Sequence, residues 1–322
     1  MMPGTQTLAV GGDTAGVRRA RRDIDGIVLL DKPLGLTSNQ ALQRVRWLFA
    51  ARKGGHTGSL DPLASGMLPI CLGQATKISA FLLDSNKVYR VRLCFGSQTA
   101  TGDMEGPVIG VGAAAVGQPE LQRVLDTFRG PVSQVPPMYS ALKHQGRRLY
   151  ELARAGQEVP RAPRIVTIHE LLLESFHPKS PVLRVHCEKG TYIRTLVEDI
   201  ARAAGTVAHV VELRRLAVEP FPESAMCSLE DLEVAGTGPG ALERFLLPAD
   251  EAVRNWPAVR FAAPEALRIR HGQSVAGPPG QGPGMVRLYD ELGRFLGVGE
   301  CLPDLQVRSR RLMAEPASAG KT

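Results

Sequence analysis

Two hydrophobic periodicities run along the chain and predict its main elements. Lys87 to Phe95 alternates apolar with mostly polar positions, which is typical of a strand with one buried and one basic face. Thr37 and Gln40 have capping-box spacing and are followed by an apolar helical stripe, so a helix begins there. Similar patterns predict strands at 24–30, 164–173 and 181–187, and helices at 120–128, from about 190 to 204, and at 229–232.

Residues 54–77 interrupt this regular pattern with five glycines and two prolines. Asp61 is the one carboxylate in the segment, and His56 lies five residues before it. A lone carboxylate among small and apolar residues is typical of a tuned acid, base or nucleophile. The structural alternative is a turn initiated by Asp61 and Pro62, and spacing alone favours that alternative.

Length and charge narrow the class of protein. A chain of 322 residues with 43% hydrophobic residues predicts one large domain plus a small one, or two of medium size. The net charge of +7 favours a polyanionic partner, although solubility alone also explains it. No apolar run is long enough to span a bilayer and the first residues do not resemble a secretory signal, so we expect a cytoplasmic protein that binds no membrane.

The dispersed cysteines and the absence of phosphate-binding motifs argue against a cofactor. The five cysteines are dispersed, and no pair has the spacing of metal ligands. The sequence contains no Walker loop and no dinucleotide fingerprint. The simplest prediction is a reaction that uses neither a metal nor an organic cofactor.

Composition shifts divide the chain. Residues 1–23 lack periodicity and predict a disordered extension, and 315–322 predict a disordered tail. A boundary is expected near Pro248, and two short strands around a polar turn at 286–300 predict a small β-barrel in 249–314.

Between 134 and 150, aromatic residues are interleaved with Lys143, Arg147 and Arg148. Such a segment suits looped RNA, and an ordinary surface hairpin with a basic rim is the alternative.

Several segments together resemble one family. The run GGHTGSLDPLASGMLPICLGQATK closely resembles the active-site motif of the bacterial tRNA pseudouridine-55 synthases, the TruB family. DKPLGLTS, PPMYSALKHQGRRLY, KGTYIRTL and the predicted strand AHVVELRRL resemble further segments of that family. The resemblance implies an α+β pseudouridine synthase fold with a central mixed, mainly antiparallel sheet and flanking helices. It also implies an RNA-clasping insertion at about 129–160 in a catalytic domain of 24–248, and a PUA-like RNA-binding barrel.

The resemblance also assigns roles to residues. Asp61 would be the catalytic residue, paired with Arg194. Tyr89 would stack on the target base, whereas the alternation alone favours an ordinary core residue at that position. Tyr192 and Leu213 would line the substrate pocket. His56 would fill the place of the flipped base, with a general base and a buried structural histidine as alternatives. The residues expected to contact RNA are Lys32, Lys143, Arg147 and Arg148.

The implied function is isomerisation of uridine 55 to pseudouridine in the T-loop (TΨC arm) of tRNA. The base would be flipped out, and Asp61 would support cleavage and re-formation of the glycosidic bond. We expect the enzyme to act on tRNA as a monomer without a protein partner. A tRNA-binding folding chaperone is one alternative. A carboxylate-based hydrolase is another, but it needs a second carboxylate with an opposed pKa, which no motif offers.

Overall fold

The computed structural model describes residues 20–236 and 240–314. Residues 1–19 of the predicted extension and the predicted tail 315–322 lie outside this range. The first thirteen strands in the described range are β1 Gly26–Lys32, β2 Gly54–His56, β3 Ala64–Leu72, β4 Lys87–Phe95, β5 Ser97–Thr99, β6 Val108–Val111, β7 Gly130–Gln134, β8 Lys143–His144, β9 Arg147–Arg148, β10 Arg164–Ser175, β11 Val182–Cys187, β12 Ala208–Val218 and β13 Cys227–Ser228. The other five are β14 Ala258–Arg260, β15 Val275–Ala276, β16 Gly284–Tyr289, β17 Phe295–Cys301 and β18 Gln306–Leu312.

Seven α-helices accompany these strands in the described residues. They are α1 Ser38–Leu48, α2 Ser79–Leu83, α3 Gln118–Thr127, α4 Leu149–Arg154, α5 Ile193–Ala203, α6 Leu229–Ala235 and α7 Ala263–Arg270. The predicted capping box of α1 is confirmed, because the Thr37 hydroxyl accepts from the Gln40 amide and the Gln40 side chain accepts from the Thr37 amide. Within the same residues, no helix combines the length and apolar character that crossing a bilayer requires.

A nine-stranded mixed sheet forms the centre of the molecule. Its order is β13-β1-β3-β12-β4-β11-β10-β7, with β2 added on β3. The pairs β1–β13 and β3–β12 are parallel and the other pairs are antiparallel, as predicted. The alternation that predicts β4 is also confirmed, because Val91, Leu93 and Phe95 are buried in one apolar cluster.

Two apolar clusters pack on this sheet, and two of the predicted site residues lie where the clusters meet. One contains buried residues of α3 and α5, and the other contains buried residues of α1 and α6. Tyr89 of β4 and Leu213 of β12 are partly buried and contact both clusters. The floor between the two groups of helices is therefore made by two of the predicted site residues.

A second sheet of five strands follows in the order β14-β16-β17-β18-β15. The two strands expected around a polar turn are β16 and β17, whereas the sequence patterns did not predict β18 or α7. A third apolar cluster joins the two sheets, with Val298 of β17 packed among Ile27, Leu29 and Met67. The domain boundary near Pro248 stays a prediction.

Candidate active site

The loop that carries Asp61 connects β2 to β3 and is tied to the start of α1. The Ser38 hydroxyl accepts from the Leu60 amide at 2.7 Å and donates to the Leu60 carbonyl at 3.0 Å. The Gly35 amide donates to the Pro62 carbonyl at 2.8 Å. These bonds on both sides of Asp61 fix the direction in which its side chain leaves the loop.

Gly66, inside β3, shows why this segment needs glycine where β3 passes β12. Its φ is +100°, and a Cβ atom there would lie 2.2 Å from the Arg215 carbonyl oxygen. A larger residue would force the strands apart and move the end of the Asp61 loop. The glycine-rich composition of this segment is thus a packing requirement as well as a turn signal.

Asp61 is paired with Arg194 from the first turn of α5. Asp61 Oδ2 lies 3.0 Å from Arg194 Nη2, and 46% of the aspartate side chain is exposed. The buried guanidinium also donates to the carbonyls of Thr101 and Tyr139, each at 2.7 Å, and Nη1 lies 3.6 Å from Asp103 Oδ2. This arrangement places a guanidinium against one oxygen of Asp61 and leaves part of the carboxylate open to a substrate.

The space beside this ion pair is small but adjoins a larger cleft. A cavity of about 10 Å³ is lined by Asp61, Arg194 and Leu213, among others. A cleft of about 430 Å³ shares Leu63, Val211 and Leu213 with it. The small cavity has room for about one water, and the larger cleft continues from it along the shared residues.

Tyr89 lies on β4, and its stacking on the target base stays a prediction. Burial raises the pKa of Tyr89, while the charge and hydrogen bond of Arg215 act in the opposite direction. The phenol is therefore neutral near pH 7 and offers an uncharged aromatic face. Tyr192 immediately precedes α5, two residues before Arg194, and its ring packs against the Arg164 guanidinium at 4.9 Å.

His56 ends β2, on the segment that leads to Asp61. Its Nδ1 atom is buried and finds no hydrogen-bond partner within the described residues. Burial lowers the pKa of His56, and the nearby charge of Arg215 lowers it further. The imidazole is therefore neutral at physiological pH, which fits a packing or wedge role better than a permanent cation.

Lys32 requires a correction, because it is fully buried rather than on an RNA-facing surface. Its amino group donates to the carbonyls of Pro33 at 2.8 Å and Leu36 at 2.7 Å. Burial lowers the pKa of Lys32 to about 8, Asp61 raises it, and Arg215 lowers it. The Lys32 amino group therefore holds the turn before α1 and interacts electrostatically with Asp61. It does not lie on the surface where RNA would bind.

The other predicted RNA contacts lie together on one surface hairpin. Strands β8 and β9 pair Lys143 with Arg148, and Arg147 belongs to the same two-stranded ribbon. All three side chains are exposed. Their contact with RNA stays a prediction.

Sequence reasoning missed Asp103 and Arg215. Asp103 is buried beside Arg194, and the TxTxD pattern of its loop was the signal available. Arg215 is 1% exposed; its Nε donates to the Met67 carbonyl at 2.7 Å and its Nη2 to the Gly58 carbonyl at 3.1 Å. The doubled arginine after Leu213 was its signal, but alternation alone predicts an exposed or an inward arginine equally well. In the described ranges, no three His, Cys, Asp or Glu side chains gather as metal ligands.

Three models of pseudouridine synthase domains match consecutive parts of the chain. Residues 46–193 match the N-terminal domain model of the TruB family pseudouridylate synthases, 194–254 match a tRNA pseudouridylate synthase B C-terminal domain, and 257–313 match a pseudouridine synthase II TruB C-terminal domain. The protein is therefore a pseudouridine synthase, an isomerase.

A tRNA pseudouridine synthase B of Pseudomonas fluorescens is 51% identical over 301 residues, covering 93% of this chain and 99% of the relative. A Pseudomonas aeruginosa protein of the same name is 49% identical with the same coverage. The chain belongs to the TruB family.

Solved structures confirm the fold. The archaeal box H/ACA sRNP Nop10–Cbf5 complex contains a chain with a TM-score of 0.68 and 22% identity, covering 89% of this chain and 85% of that one. A Cbf5–Nop10–Gar1 complex gives a TM-score of 0.69 at 23% identity, covering 90% and 84%. The predicted α+β pseudouridine synthase fold is thus confirmed.

Proposed function

We propose that this enzyme converts uridine 55 in the T-loop of tRNA to pseudouridine. The observation that carries the proposal is the half-exposed Asp61 carboxylate held 3.0 Å from Arg194, above the floor made by Tyr89 and Leu213. The names of the relatives, tRNA pseudouridine synthase B, support tRNA as the substrate. We further propose that the protein acts as a monomer and needs no protein partner or cofactor.

The reaction rearranges one nucleotide without a net change in atoms. The bond from C1′ to N1 of uracil breaks, the ring turns, C1′ bonds to C5, and the proton on C5 moves to N1 through solvent. Asp61 assists as an anion, either by attacking the sugar or base or by removing a ribose proton. In both roles the Arg194 guanidinium, 3.0 Å away, orients the carboxylate.

The target base must leave the folded T-loop before this chemistry. Extrusion costs a few kcal/mol, which contacts with the flipped base and with the rest of the RNA offset. Tyr89 offers its ring to the base, and His56 occupies the vacated stack. The exposed hairpin of Lys143, Arg147 and Arg148 contacts phosphates and holds the RNA while the base enters.

The test is to incubate purified protein with unmodified tRNA and map pseudouridine by position. We expect modification at uridine 55 with the wild-type enzyme and none with Asp61→Ala or Asp61→Asn. Both variants should bind tRNA and unfold at the wild-type temperature, because neither change disturbs the fold. Pseudouridine only at other positions would refute the substrate assignment. Substantial product from Asp61→Asn would refute the role of Asp61, and binding without any turnover would favour the folding chaperone.

A further inference from the structure

The segment with the basic hairpin leaves and rejoins the central sheet at one pair of residues. Gln134 is the last residue of β7, Arg164 is the first residue of β10, and the two are direct cross-strand partners. We call residues 135–163 the inserted segment. Gln134 and Arg164 therefore join both ends of this segment to the central sheet.

Gln134 holds the backbone of Tyr192. It is completely buried, and its Nε2 donates to the Tyr192 carbonyl at 3.3 Å while the Tyr192 amide donates to its Oε1 at 3.1 Å. Both halves of the side-chain amide are thus used on one residue. Such a two-point contact fixes the position at which α5 begins.

Arg164 holds the ring of the same tyrosine. Its Cζ atom lies 4.9 Å from the centre of the Tyr192 ring, within the range of a cation–π contact. It also donates a hydrogen bond to the Gly190 carbonyl. A Cβ on Gly190 would lie 3.6 Å from Cζ, Nη1 and Nη2 alike, so the flat guanidinium faces the glycine. Arg164 therefore lies between Gly190 and the Tyr192 ring.

A second contact connects the inserted segment to the site. The carbonyl of Tyr139, five residues after Gln134, accepts from the Arg194 guanidinium at 2.7 Å. The segment is thus attached both to the residue before α5 and to the partner of Asp61.

We propose that Gln134 and Arg164 are positioning residues that set the backbone and ring of Tyr192 and link the inserted segment to the substrate pocket. This inference rests on the proposed function and on the expected place of Tyr192 in its substrate pocket. Neither residue touches the reacting atoms, and both act through Tyr192.

The primary test uses two conservative variants under single-turnover conditions. Arg164→Lys keeps the charge but loses the planar group that stacks, and Gln134→Glu keeps the shape but loses the donor to the Tyr192 carbonyl. We expect each to lower the rate at saturating tRNA by about ten- to a hundredfold, as small misplacements in active sites do. The dissociation constant for tRNA should stay the same. Matched controls are Arg123→Lys and Gln118→Glu on the exposed side of α3, which should keep the wild-type rate.

A double-mutant cycle distinguishes positioning from a general structural role. In a Tyr192→Leu background, Arg164→Lys should cause no further loss of rate, because its effect passes through the ring. Full additivity of the two losses would overturn the proposal. Arg164→Lys is the decisive member if Gln134→Glu proves unstable, since the arginine is partly exposed.

A spectroscopic readout keeps the inference separate from the proposed function. Fluorotyrosine-labelled protein gives fluorine NMR signals, and the Tyr192 signal is the one that Tyr192→Phe removes. Arg164→Lys should shift and broaden that signal, while Arg123→Lys should leave it unchanged. If the wild-type enzyme makes no pseudouridine, the proposed function fails but this measurement still tests the contact. An unmoved Tyr192 signal in Arg164→Lys would overturn the positioning role.

Discussion

Both terminal nitrogens of the Arg194 guanidinium are occupied by contacts with neighbouring oxygens. One guanidinium nitrogen contacts the Asp61 carboxylate and the Tyr139 carbonyl, and the other contacts Asp103 and the Thr101 carbonyl. A planar fork satisfies this set, whereas an ammonium group is a point charge on a flexible stem. The geometry of Asp61 therefore depends on the shape of its partner as well as on its charge.

Arg194→Lys should consequently fold but react slowly. Losing charge-assisted hydrogen bonds worth about 1.5–3 kcal/mol corresponds to a loss of about tenfold or more in rate. Single-turnover kinetics at saturating tRNA measures this, with thermal unfolding as the check on the fold. A rate equal to that of the wild type would show that the pairing with Asp61 does not serve catalysis.

Lys32 gives a pH dependence with a defined sign. Its native pKa of about 8 lies below the ordinary value of 10.5, so the native state releases this proton first as pH rises. Between these values the unfolded state binds more protons, and the contribution of Lys32 to the free energy of unfolding rises with pH. From pH 7.5 to 9.5 the wild type should gain about 1–2 kcal/mol relative to Lys32→Met.

Urea unfolding at the two pH values measures this difference. Lys53→Met removes an exposed lysine and should follow the wild-type curve. Parallel pH profiles for the wild type and Lys32→Met would contradict a lowered native pKa.

Individual site residues were predictable only where a motif marked them. Asp61 and Arg194 lie far apart in the sequence, and the family resemblance alone brought them together before the fold was known. Lys32 was expected to contact RNA. The prediction failed because sequence alone does not show that its amino group turns back onto the Pro33 and Leu36 carbonyls. Arg215 was missed because local alternation does not reveal a buried cation that is satisfied by distant carbonyls.

At the scale of elements, the β8–β9 hairpin concentrates exposed positive charge on one short ribbon. Replacing Lys143, Arg147 and Arg148 together with glutamine should weaken tRNA binding and lower the salt dependence of the binding constant. Each lost phosphate contact reduces the slope of log K against log salt by about 0.7–0.9. In the proposed function the hairpin contacts RNA phosphates rather than the base, so the rate at saturating tRNA should change far less than the affinity.

Binding isotherms at several salt concentrations test this expectation. A control variant with glutamine at Arg123, Lys179 and Arg202 removes the same charge from other exposed positions. Equal salt slopes for the two triple variants would mean that the hairpin makes no specific phosphate contacts.

Elements formed by local signals were predicted best. The strand predicted at 87–95 coincides with β4, and α1 begins after its capping box, because alternation and capping are encoded within a few residues. The two-residue strands β13 and β15, and the three-residue β2, carry no such periodicity. They exist because a distant strand supplies the hydrogen-bonding edge, which sequence alone does not locate.

At the scale of the molecule, the two sheets share an apolar core rather than merely being linked. Val298 packs with Ile27, Leu29 and Met67, and Trp256 contacts the same cluster. Each fully buried apolar side chain contributes about 1.5–3 kcal/mol. Deleting the chain from Pro248 onward would expose the face of β1 and β3 to water. The resulting loss of stability would obscure any loss of RNA affinity.

The contribution of the C-terminal sheet to tRNA binding is therefore better tested by charge removal than by truncation. Arg260, Arg268 and Arg311 are exposed and lie outside the shared core. Changing all three to glutamine should weaken tRNA binding, with the unfolding temperature and the rate at saturating tRNA unchanged. The truncated protein should instead unfold at a lower temperature, because its core is uncovered. Wild-type affinity in the triple variant would show that these arginines do not bind tRNA.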